Sequence, residues 1–375
     1  MPPPLIAHPA EFTQLLDSLR GESPVAVDTE AASFHRYHDR VYLLQLSTRR
    51  ETHLVDPVAV PGLPGFGDFL ADERIELIFH DADYDLRLLQ HEFGFRATRL
   101  FDTRVAAQFL NEPGIGLAAL LEKHLGVQLD KRFQRADWAA RPLTDAMLEY
   151  AAMDTRHLPV LRDLLGARLD EKGRLSWVAE ECELLTAVRW PDPVPREEAA
   201  LSVKGARALS PRALAVFREL HVWRDRTAEA LDRAAFRVMV NEVLLAMAER
   251  PPATLAELAS VRGVGREIVE RRGPEILGAI ERGLAIPESD LPKYPRVPRH
   301  KPDPAFDLRL ERLRAVRATL VAEFDLQPGV LCPNWLLEGI ARGAPGDESA
   351  LAQVPGVRRW QIETFGPRLL SAVAA

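Results

Sequence analysis

Strand and helix signals alternate through the first half of the 375-residue chain, and this alternation ends near Trp190. Short apolar runs bounded by polar or turn residues predict strands, and apolar positions three and four apart predict helices. Such alternation favours an α/β layer structure with a mixed sheet. The predicted strands are 25–27, 41–47, 53–55, 75–79 and 100–101, with a hairpin between 41–47 and 53–55. The predicted helices are 82–92, 103–110, 117–124 and 145–165.

A proline-rich segment separates this region from one with helical signals alone. The segment begins at Trp190 and reads WPDPVPREE, with three prolines in five residues, which indicates a linker. Helical periodicity then returns at 211–232, 237–248 and 254–259. A second linker holds Pro292, Pro295 and Pro298, whose three-residue spacing in a basic segment predicts an extended polyproline helix.

The end of the chain resembles the helical region before it. The best pairing joins LASVRGVGREIVERRGPEILGAI, which begins at Leu258, with LAQVPGVRRWQIETFGPRLLSAV, which begins at Leu351. Both segments share Leu-Ala-x-Val-x-Gly-Val, then an amphipathic turn, then Gly-Pro and an apolar helix. These matches predict an internal duplication of one small helical module.

Composition limits the class of protein. The chain is 47% hydrophobic and 27% charged, which is ordinary for a globular protein. It has no run of about 18 apolar residues, and its N-terminus lacks the basic and apolar regions of a secretory signal. Two unpaired thiols, Cys182 and Cys332, are favoured over one long-range disulfide. We therefore expect a cytoplasmic protein, and its net charge of −7 argues mildly against bulk electrostatic coating of nucleic acid.

Four carboxylates and one tyrosine in three short segments carry the main chemical signal. Asp28 and Glu30 lie two apart at the end of a predicted strand, so both side chains can face the same side. Tyr150 and Asp154 lie four apart in a predicted helix and share one face. Neither pair is specific alone, because a solvated acidic pair or a tyrosine packed at a helix edge is common.

The third segment, HDADYDLRLL, offers three aspartates. Asp81 is predicted to cap the helix, and Asp83 to lie in the first turn, where its charge favours the helix dipole. Asp85 lies beside the apolar stripe and can point into a cleft, although all three could be simple first-turn acids. Four carboxylates at one point cannot all stay ionised without compensation, so their convergence predicts a site for divalent cations and phosphoryl transfer.

In order and context, these segments resemble the DEDD exonuclease superfamily in its tyrosine branch. That branch carries Asp-x-Glu, then an Asp in an apolar helix, then Tyr-x-x-x-Asp. A histidine branch also exists, but His157 follows the last aspartate and does not take the position of that histidine. The matching residues are Asp28, Glu30, Asp85, Tyr150 and Asp154.

Further segments resemble the ribonuclease D family. They are FDT, which begins at Phe101, and FQRADWAARPLTDAMLEYAAMDTRHL, which begins at Phe133. The helical modules resemble the HRDC domain that this family shares with RecQ-type helicases, well at 208–284 and weakly at 305–375. The resemblance implies a ribonuclease H-like mixed sheet flanked by helices, followed by two small all-α bundles. The implied domains are an exonuclease domain at 1–188, a linker at 189–207, a first HRDC domain at 208–286, a basic proline linker at 287–304 and a degenerate HRDC-like domain at 305–375.

The same resemblance implies two-metal hydrolysis, in which two Mg²⁺ or Mn²⁺ ions about 3.5–4 Å apart grip the scissile phosphate. Asp28, Glu30, Asp85 and Asp154 would be the metal ligands, and Tyr150 would orient the attacking water. A phenol with an ordinary pKa of about 10 suits a hydrogen-bonding role better than that of a free base. The implied activity is that of a 3′-5′ exoribonuclease, which trims structured RNA such as tRNA precursors and releases nucleoside 5′-monophosphates. The sequence shows no heptad or obvious interface patch, which favours a monomer over an obligate oligomer.

The turn VRGVG in the first helical module offers a second candidate site. Gly263 and Gly265 could take positive φ, and backbone N–H groups at a helix start can bind phosphate. Arg262 and Arg266 flank the turn, so these four residues are candidate nucleic-acid contacts; a helix corner with solvated arginines is the alternative. In the second copy a proline and an arginine replace Arg262 and Gly265, which favours a structural role for that copy.

Two other functions fit the same residues. A DNA 3′-5′ exonuclease could share the catalytic motifs, because recognition of the 2′-hydroxyl depends on contacts outside them. The absence of a polymerase or helicase segment weighs against that function. A non-catalytic RNA-binding scaffold with a decayed nuclease domain is the other alternative, and the presence of all five motif residues weighs against it.

Overall fold

The computed structural model describes residues 2–294 and 303–374. Its strands are β1 (Leu5–Ile6), β2 (Val25–Ala31), β3 (Val41–Ser47), β4 (Thr52–Val55), β5 (Leu77–Phe79) and β6 (Leu100–Asp102). They form one sheet in the order β1-β4-β3-β2-β5-β6. β2, β3 and β4 pair antiparallel, whereas β1–β4, β2–β5 and β5–β6 are parallel. The predicted mixed sheet and its hairpin are therefore confirmed.

Apolar clusters pack on both faces of this sheet. Along β3, Leu44 and Leu46 belong to one cluster and Leu43 belongs to the other, as the alternation of strand side chains requires. The helices of this part are α1 (Pro9–Leu19), α2 (Phe66–Leu70), α3 (Asp83–Phe93), α4 (Thr103–Phe109), α5 (Leu117–Leu125), α6 (Asp145–Arg156), α7 (Leu158–Glu171) and α8 (Leu175–Thr186). α6 covers the cluster that contains Leu43.

The single helix predicted at 145–165 is wrong, because the structure has two helices there. α6 and α7 meet at His157. Pro159 lies in the first turn of α7, where its missing N–H leaves no hydrogen bond unmade. The same residue could not continue α6, because a proline inside a helix removes a backbone donor and clashes with the preceding turn.

Asp81 does not cap α3, so that prediction is wrong. It has a φ of 70°, and its carboxylate pairs with Arg104. The N–H groups of Asp81 and Ala82 donate instead to the carboxylate of Asp102, at 3.2 and 2.7 Å. The same carboxylate caps α4 by accepting from the N–H groups of Arg104 and Val105. One buried aspartate therefore fixes the start of two helices.

The first helical module is built around α10. Its helices are α9 (Arg196–Ala199), α10 (Pro211–Ala230), α11 (Ala235–Val238), α12 (Asn241–Glu249), α13 (Leu255–Ser260) and α14 (Arg266–Ala285). Trp223 of α10 is buried and donates its indole N–H to Glu275 at 3.1 Å. Ala200 and Ala206 are also in this core, so part of the predicted 189–207 linker packs as part of the module.

The second helical module packs directly against the exonuclease region. Its helices are α15 (Pro304–Phe324), α16 (Pro328–Leu331), α17 (Asn334–Gly343), α18 (Glu348–Ala352) and α19 (Arg359–Ala374). The ring of Trp360 stacks on Trp177 of α8 with centroids 4.6 Å apart and meets Phe109 edge-on at 5.4 Å. Arg358 donates to Glu181 at 2.9 Å. The arginine of this second turn thus serves an intramolecular contact, in keeping with the structural role expected for this copy.

Three other expectations concern the second proline segment, membrane spans and the two cysteines. Pro295 and Pro298 of the predicted polyproline segment lie outside the described residues. Within the described ranges, no helix combines the length and the apolar character needed to cross a lipid bilayer. Cys182 and Cys332 are both buried and carry free thiols, and burial raises the pKa of each to about 12.

Candidate active site

The first two carboxylates lie on β2, between β3 and β5 in the sheet. The strand continues to Ala31, beyond its predicted end, so Asp28 and Glu30 both lie within a paired strand. Because side chains alternate along a strand, these two carboxylates face the same side. The sheet therefore fixes their spacing, which a loop would leave variable.

Asp85 reaches β2 from α3, the helix that follows β5. β5 pairs with β2 only at Val25 and Ala26, so farther along β2 the backbone on that side has no strand partner. Asp85 takes the place of that partner. Its Oδ1 accepts from the backbone N–H of Thr29 at 3.1 Å and from the Thr29 hydroxyl, and the residue is only 7% exposed. Asp83, by contrast, pairs at the surface with Arg87, so Asp85 is not a simple first-turn acid.

α6 brings Tyr150 and Asp154 against the same strands. The hydroxyls of Ser47 on β3 and Thr155 on α6 lie 2.7 Å apart and hold the helix on the sheet. Thr144 caps the start of α6 by accepting from the N–H of Met147. The four-residue spacing then directs the tyrosine and the aspartate to one side of the helix.

Three of the four predicted carboxylates converge in space. One oxygen from each of Asp28, Glu30 and Asp154 lies within 4.8 Å of the other two. Asp85 adjoins this group through its hydrogen bonds to the strand residue between the first two. The residues predicted from three separate segments thus form one acidic cluster.

Burial makes this cluster electrostatically unfavourable. Desolvation, and then the charges of Asp85, Asp154 and Glu30, raise the pKa of Asp28 well above its usual range. Desolvation, and then the charges of Asp154 and Asp85, also raise the pKa of Glu30 well above its usual range. Burial raises the pKa of Asp85 to about 7, although the hydrogen bonds from Thr29 oppose this, and burial raises the pKa of Asp154 to about 7. A bound cation is the arrangement that would relieve this repulsion.

Two aromatic side chains hold Tyr150 beside the acidic cluster. Its ring lies 5.8 Å from that of Phe133 and 6.1 Å from that of Trp138. Burial, and then the charge of Asp154, raise the pKa of Tyr150 above its ordinary value of 10.0. The phenol therefore keeps its proton at neutral pH and can donate a hydrogen bond, which suits a positioning group better than a base.

Thr29 and Asp102 organise the site, and the sequence did not reveal either role. The only available signal for Thr29 was its position between two carboxylates on a predicted strand. In the structure its backbone lies beyond the last residue that pairs with β5, which leaves its N–H free to bind Asp85. Asp102 belongs to the FDT segment that matched the family, but its contacts to the start of α3 lie about 20 residues away in sequence. No local pattern reports a contact of that kind.

The candidate nucleic-acid turn lies between α13 and α14. Gly263 has a φ of 94°, as predicted, whereas Gly265, the N-cap residue of α14, has a φ of −74°, so that part of the prediction is wrong. Arg266 pairs with Glu270 at 2.7 Å on the same helix. Arg262 is exposed at the turn. The role of these residues in binding nucleic acid stays a prediction.

The family models agree with this architecture. Residues 5–170 match the model described as 3′-5′ exonuclease, and residues 213–280 and 307–373 each match the HRDC domain. The second HRDC match includes the region where the sequence suggested only a weak resemblance. Fold and site together therefore define a 3′-5′ exonuclease that carries two HRDC domains.

Individual relatives narrow this class to one family. The chain is 32% identical over 376 residues to ribonuclease D of Gluconacetobacter diazotrophicus. The aligned region covers 98% of this chain and 92% of the relative. The crystal structure of Escherichia coli RNase D superposes with a TM-score of 0.70 at 26% identity, covering 100% of this chain and 99% of that one. The catalytic core of RRP6 from Trypanosoma brucei gives a TM-score of 0.68 at 29% identity, over 75% of this chain and 80% of that one. The chain belongs to the ribonuclease D family, and it is a 3′-5′ exoribonuclease.

Proposed function

We propose that this exoribonuclease trims the 3′ ends of structured RNA, with 3′-extended tRNA precursors as its substrates. The observation that carries the proposal is the convergence of Asp28, Glu30 and Asp154 within 4.8 Å. The E. coli relative that aligns over the whole chain is itself described as an exoribonuclease involved in structured RNA processing. The two HRDC domains beside the catalytic domain add surface on which a folded substrate can rest.

The acidic cluster suits two divalent cations of the Mg²⁺ or Mn²⁺ type. Its donors are all carboxylate oxygens, the ligands that these ions prefer. Its raised pKa values indicate negative charge that the protein alone does not neutralise. We assign Asp28, Glu30, Asp85 and Asp154 as ligands, directly or through water. When bound, the cations would supply Lewis-acid polarisation of the phosphate and compensate the charge on the leaving oxygen.

Side chains of this chain would place the water and keep the ligands in position. Tyr150, which is protonated at neutral pH, would orient the attacking water by a hydrogen bond. Thr29 would hold the carboxylate of Asp85 in one orientation. Attack of water on the terminal phosphodiester breaks its bond to the 3′ oxygen of the preceding nucleotide. The products are a nucleoside 5′-monophosphate and an RNA shortened by one residue with a free 3′-hydroxyl.

The test compares a 3′-extended tRNA with single-stranded DNA of matched length, each with and without Mg²⁺. We expect metal-dependent release of nucleoside 5′-monophosphates from the RNA alone. Asp154→Asn should abolish the release, and the matched control Asp83→Asn should retain it, because Asp83 pairs at the surface with Arg87. Equal degradation of both substrates would favour the DNA exonuclease. Binding of RNA without hydrolysis by the wild-type protein would favour the scaffold.

We also propose that the protein acts as a monomer. In the second module Trp360 and Phe365 are buried within the chain, which leaves Leu308 and Trp335 as its exposed large apolar side chains among the described residues. Sedimentation at micromolar concentration should give a single species near 41.9 kDa. A species of twice that mass would contradict the proposal.

A further inference from the structure

Two exposed phenylalanines from different domains meet beside the acidic cluster. Phe34 follows β2 and Phe236 lies in α11 of the first helical module. They are 42% and 48% exposed, and their rings lie 6.4 Å apart at an angle of 76°. Single exposed apolar side chains are common, but a contiguous aromatic pair in water marks an interaction surface more often.

An arginine lies over each of these rings. The guanidinium of Arg135 is 5.1 Å from the ring centre of Phe34, and that of Arg237 is 5.9 Å from the ring centre of Phe236. Both arginines are exposed, and neither forms a salt bridge within the described residues. Asp137, a carboxylate on the same loop as Arg135, pairs with Arg36 at 3.2 Å. In a chain with a net charge of −7, two guanidinium groups over one aromatic pair, neither joined to a carboxylate, favour a local site for anions.

We call Phe34, Phe236, Arg135 and Arg237 the aromatic platform, and hydrogen bonds between its segments preform it. The N–H of Ala234 donates to the carbonyl of His35 at 3.1 Å. The ring of His35 donates through Nε2 to the carbonyl of Arg135 at 2.9 Å. Arg237 donates through Nε to the carbonyl of Phe34. These bonds join the loop after β2, the loop before α6 and the first helical module.

The aromatic platform lies close to the acidic cluster along two routes. Phe34 is four residues after Glu30, so their Cα atoms are at most about 14 Å apart. Arg135 is two residues after Phe133, whose ring packs against Tyr150 at 5.8 Å. A strand whose 3′ end enters the cluster therefore has the aromatic platform within reach of its next nucleotides.

We propose that the aromatic platform binds the single-stranded RNA just upstream of the scissile phosphate, which rests on the proposed function. Because the two rings lie at 76° to each other, a base stacks on Phe236 and meets the edge of Phe34, and Arg135 and Arg237 contact the neighbouring phosphates. Every base has an aromatic face, so stacking tolerates any sequence, as stepwise trimming requires. The first helical module thereby completes the substrate path by supplying half of the aromatic platform.

Phe236→Ala in the full-length protein tests the stacking role. Binding of an oligoribonucleotide decamer and of a dinucleotide is measured by competition against a labelled strand, in an Asp154→Asn background that prevents hydrolysis. Stacking contributes about 1–3 kcal/mol per base, so decamer affinity should fall about 5- to 150-fold, and dinucleotide affinity much less. Trp335→Ala is the matched control, because Trp335 is an aromatic side chain 56% exposed on the second module, and it should change neither affinity.

The following outcomes separate failure of the aromatic platform from failure of the proposed function. A decamer affinity within twofold of the parent protein overturns the proposal. An equal loss for decamer and dinucleotide also overturns it, because that result indicates a displaced domain and not a lost stacking contact. If the wild-type protein hydrolyses no RNA, the proposed function itself fails; if it hydrolyses RNA while the Phe236→Ala protein binds as the parent does, only the aromatic platform fails.

The arginines have a separate signature in the salt dependence of binding. Each phosphate contact to a single strand contributes about 0.7 to the slope of log K against log salt. Arg135→Gln or Arg237→Gln should lower that slope by about this amount. Arg74→Gln serves as the control, because Arg74 is exposed and already pairs with Asp72, so its slope should match the parent. An unchanged slope in both platform variants would overturn the phosphate contacts.

Discussion

Asp154→Asn removes one of the negative charges that are buried together in the acidic cluster, and it should stabilise the metal-free protein. Burial raises the pKa of Asp154 from 3.8 to about 7, so folding disfavours its ionised form. The cost of that form is absent below about pH 4, grows as the pH rises toward 7 and is complete above it. Since each pKa unit is worth about 1.4 kcal/mol, the cost at pH 8 is at most about 4 kcal/mol.

Partial contact with solvent and the sharing of protons among the neighbouring carboxylates reduce this cost, so we expect a gain of about 1–3 kcal/mol at pH 8. The assay is urea unfolding in EDTA at pH 8 and at pH 5, where the gain should fall to about a third. Excess Mg²⁺ should stabilise the wild-type protein more than the variant, because a cation that binds only the folded state adds to its stability. A variant that is less stable than the wild type in EDTA at both pH values would show that the buried charge of Asp154 does not destabilise the metal-free protein.

Three further substitutions probe the site and the domain contact. Tyr150→Phe removes the hydroxyl proposed to orient the water, so kcat should fall about 100-fold in steady-state assays with little change in KM. Thr29→Val removes a hydrogen bond that lowers the pKa of Asp85, so the acidic limb of the pH–rate profile should move to higher pH. Trp360→Ala should cost about 3–5 kcal/mol in urea unfolding by opening a cavity between the second module and α8, whereas the exposed Trp335→Ala should change stability by less than about 0.5 kcal/mol.

The sequence predicted those elements whose signal is local. The β3–β4 hairpin and α10 appeared where alternating or helical periodicity placed them, because both patterns are set by near neighbours in the chain. The break between α6 and α7 was missed although Pro159 lies there, because a proline in the first turn of a helix leaves the apolar periodicity on either side unchanged.

Features that depend on distant contacts were not predicted. Asp102 caps α4 and also accepts from the two backbone N–H groups just before α3, about 20 residues earlier, and nothing near Asp102 in the sequence indicates that second contact. The docking of Trp360 on Trp177 joins the second helical module to the exonuclease region, which are far apart in the sequence. An apolar side chain that packs against another domain shows the same local sequence pattern as one that packs within its own domain. The sequence therefore did not reveal this interface.

The acidic cluster was predictable for a different reason. Spacing placed Asp28 with Glu30 and Tyr150 with Asp154, but only the resemblance to a family joined the three segments into one site. The structure then supplied what the motif omits, which is that Thr29 anchors Asp85 at the point where β5 ends. The aromatic platform could not be predicted from the sequence, because its two phenylalanines lie about 200 residues apart in the chain.

We propose that the acidic cluster holds the divalent cations that hydrolysis requires. The most direct measurement is an anomalous difference map from crystals of the protein soaked in Mn²⁺. We predict manganese peaks bounded by Asp28, Glu30, Asp85 and Asp154, and their loss in crystals of the Asp154→Asn or Asp28→Ala protein. Manganese bound only elsewhere, in a protein that still degrades RNA, would contradict the assignment of these four carboxylates as metal ligands.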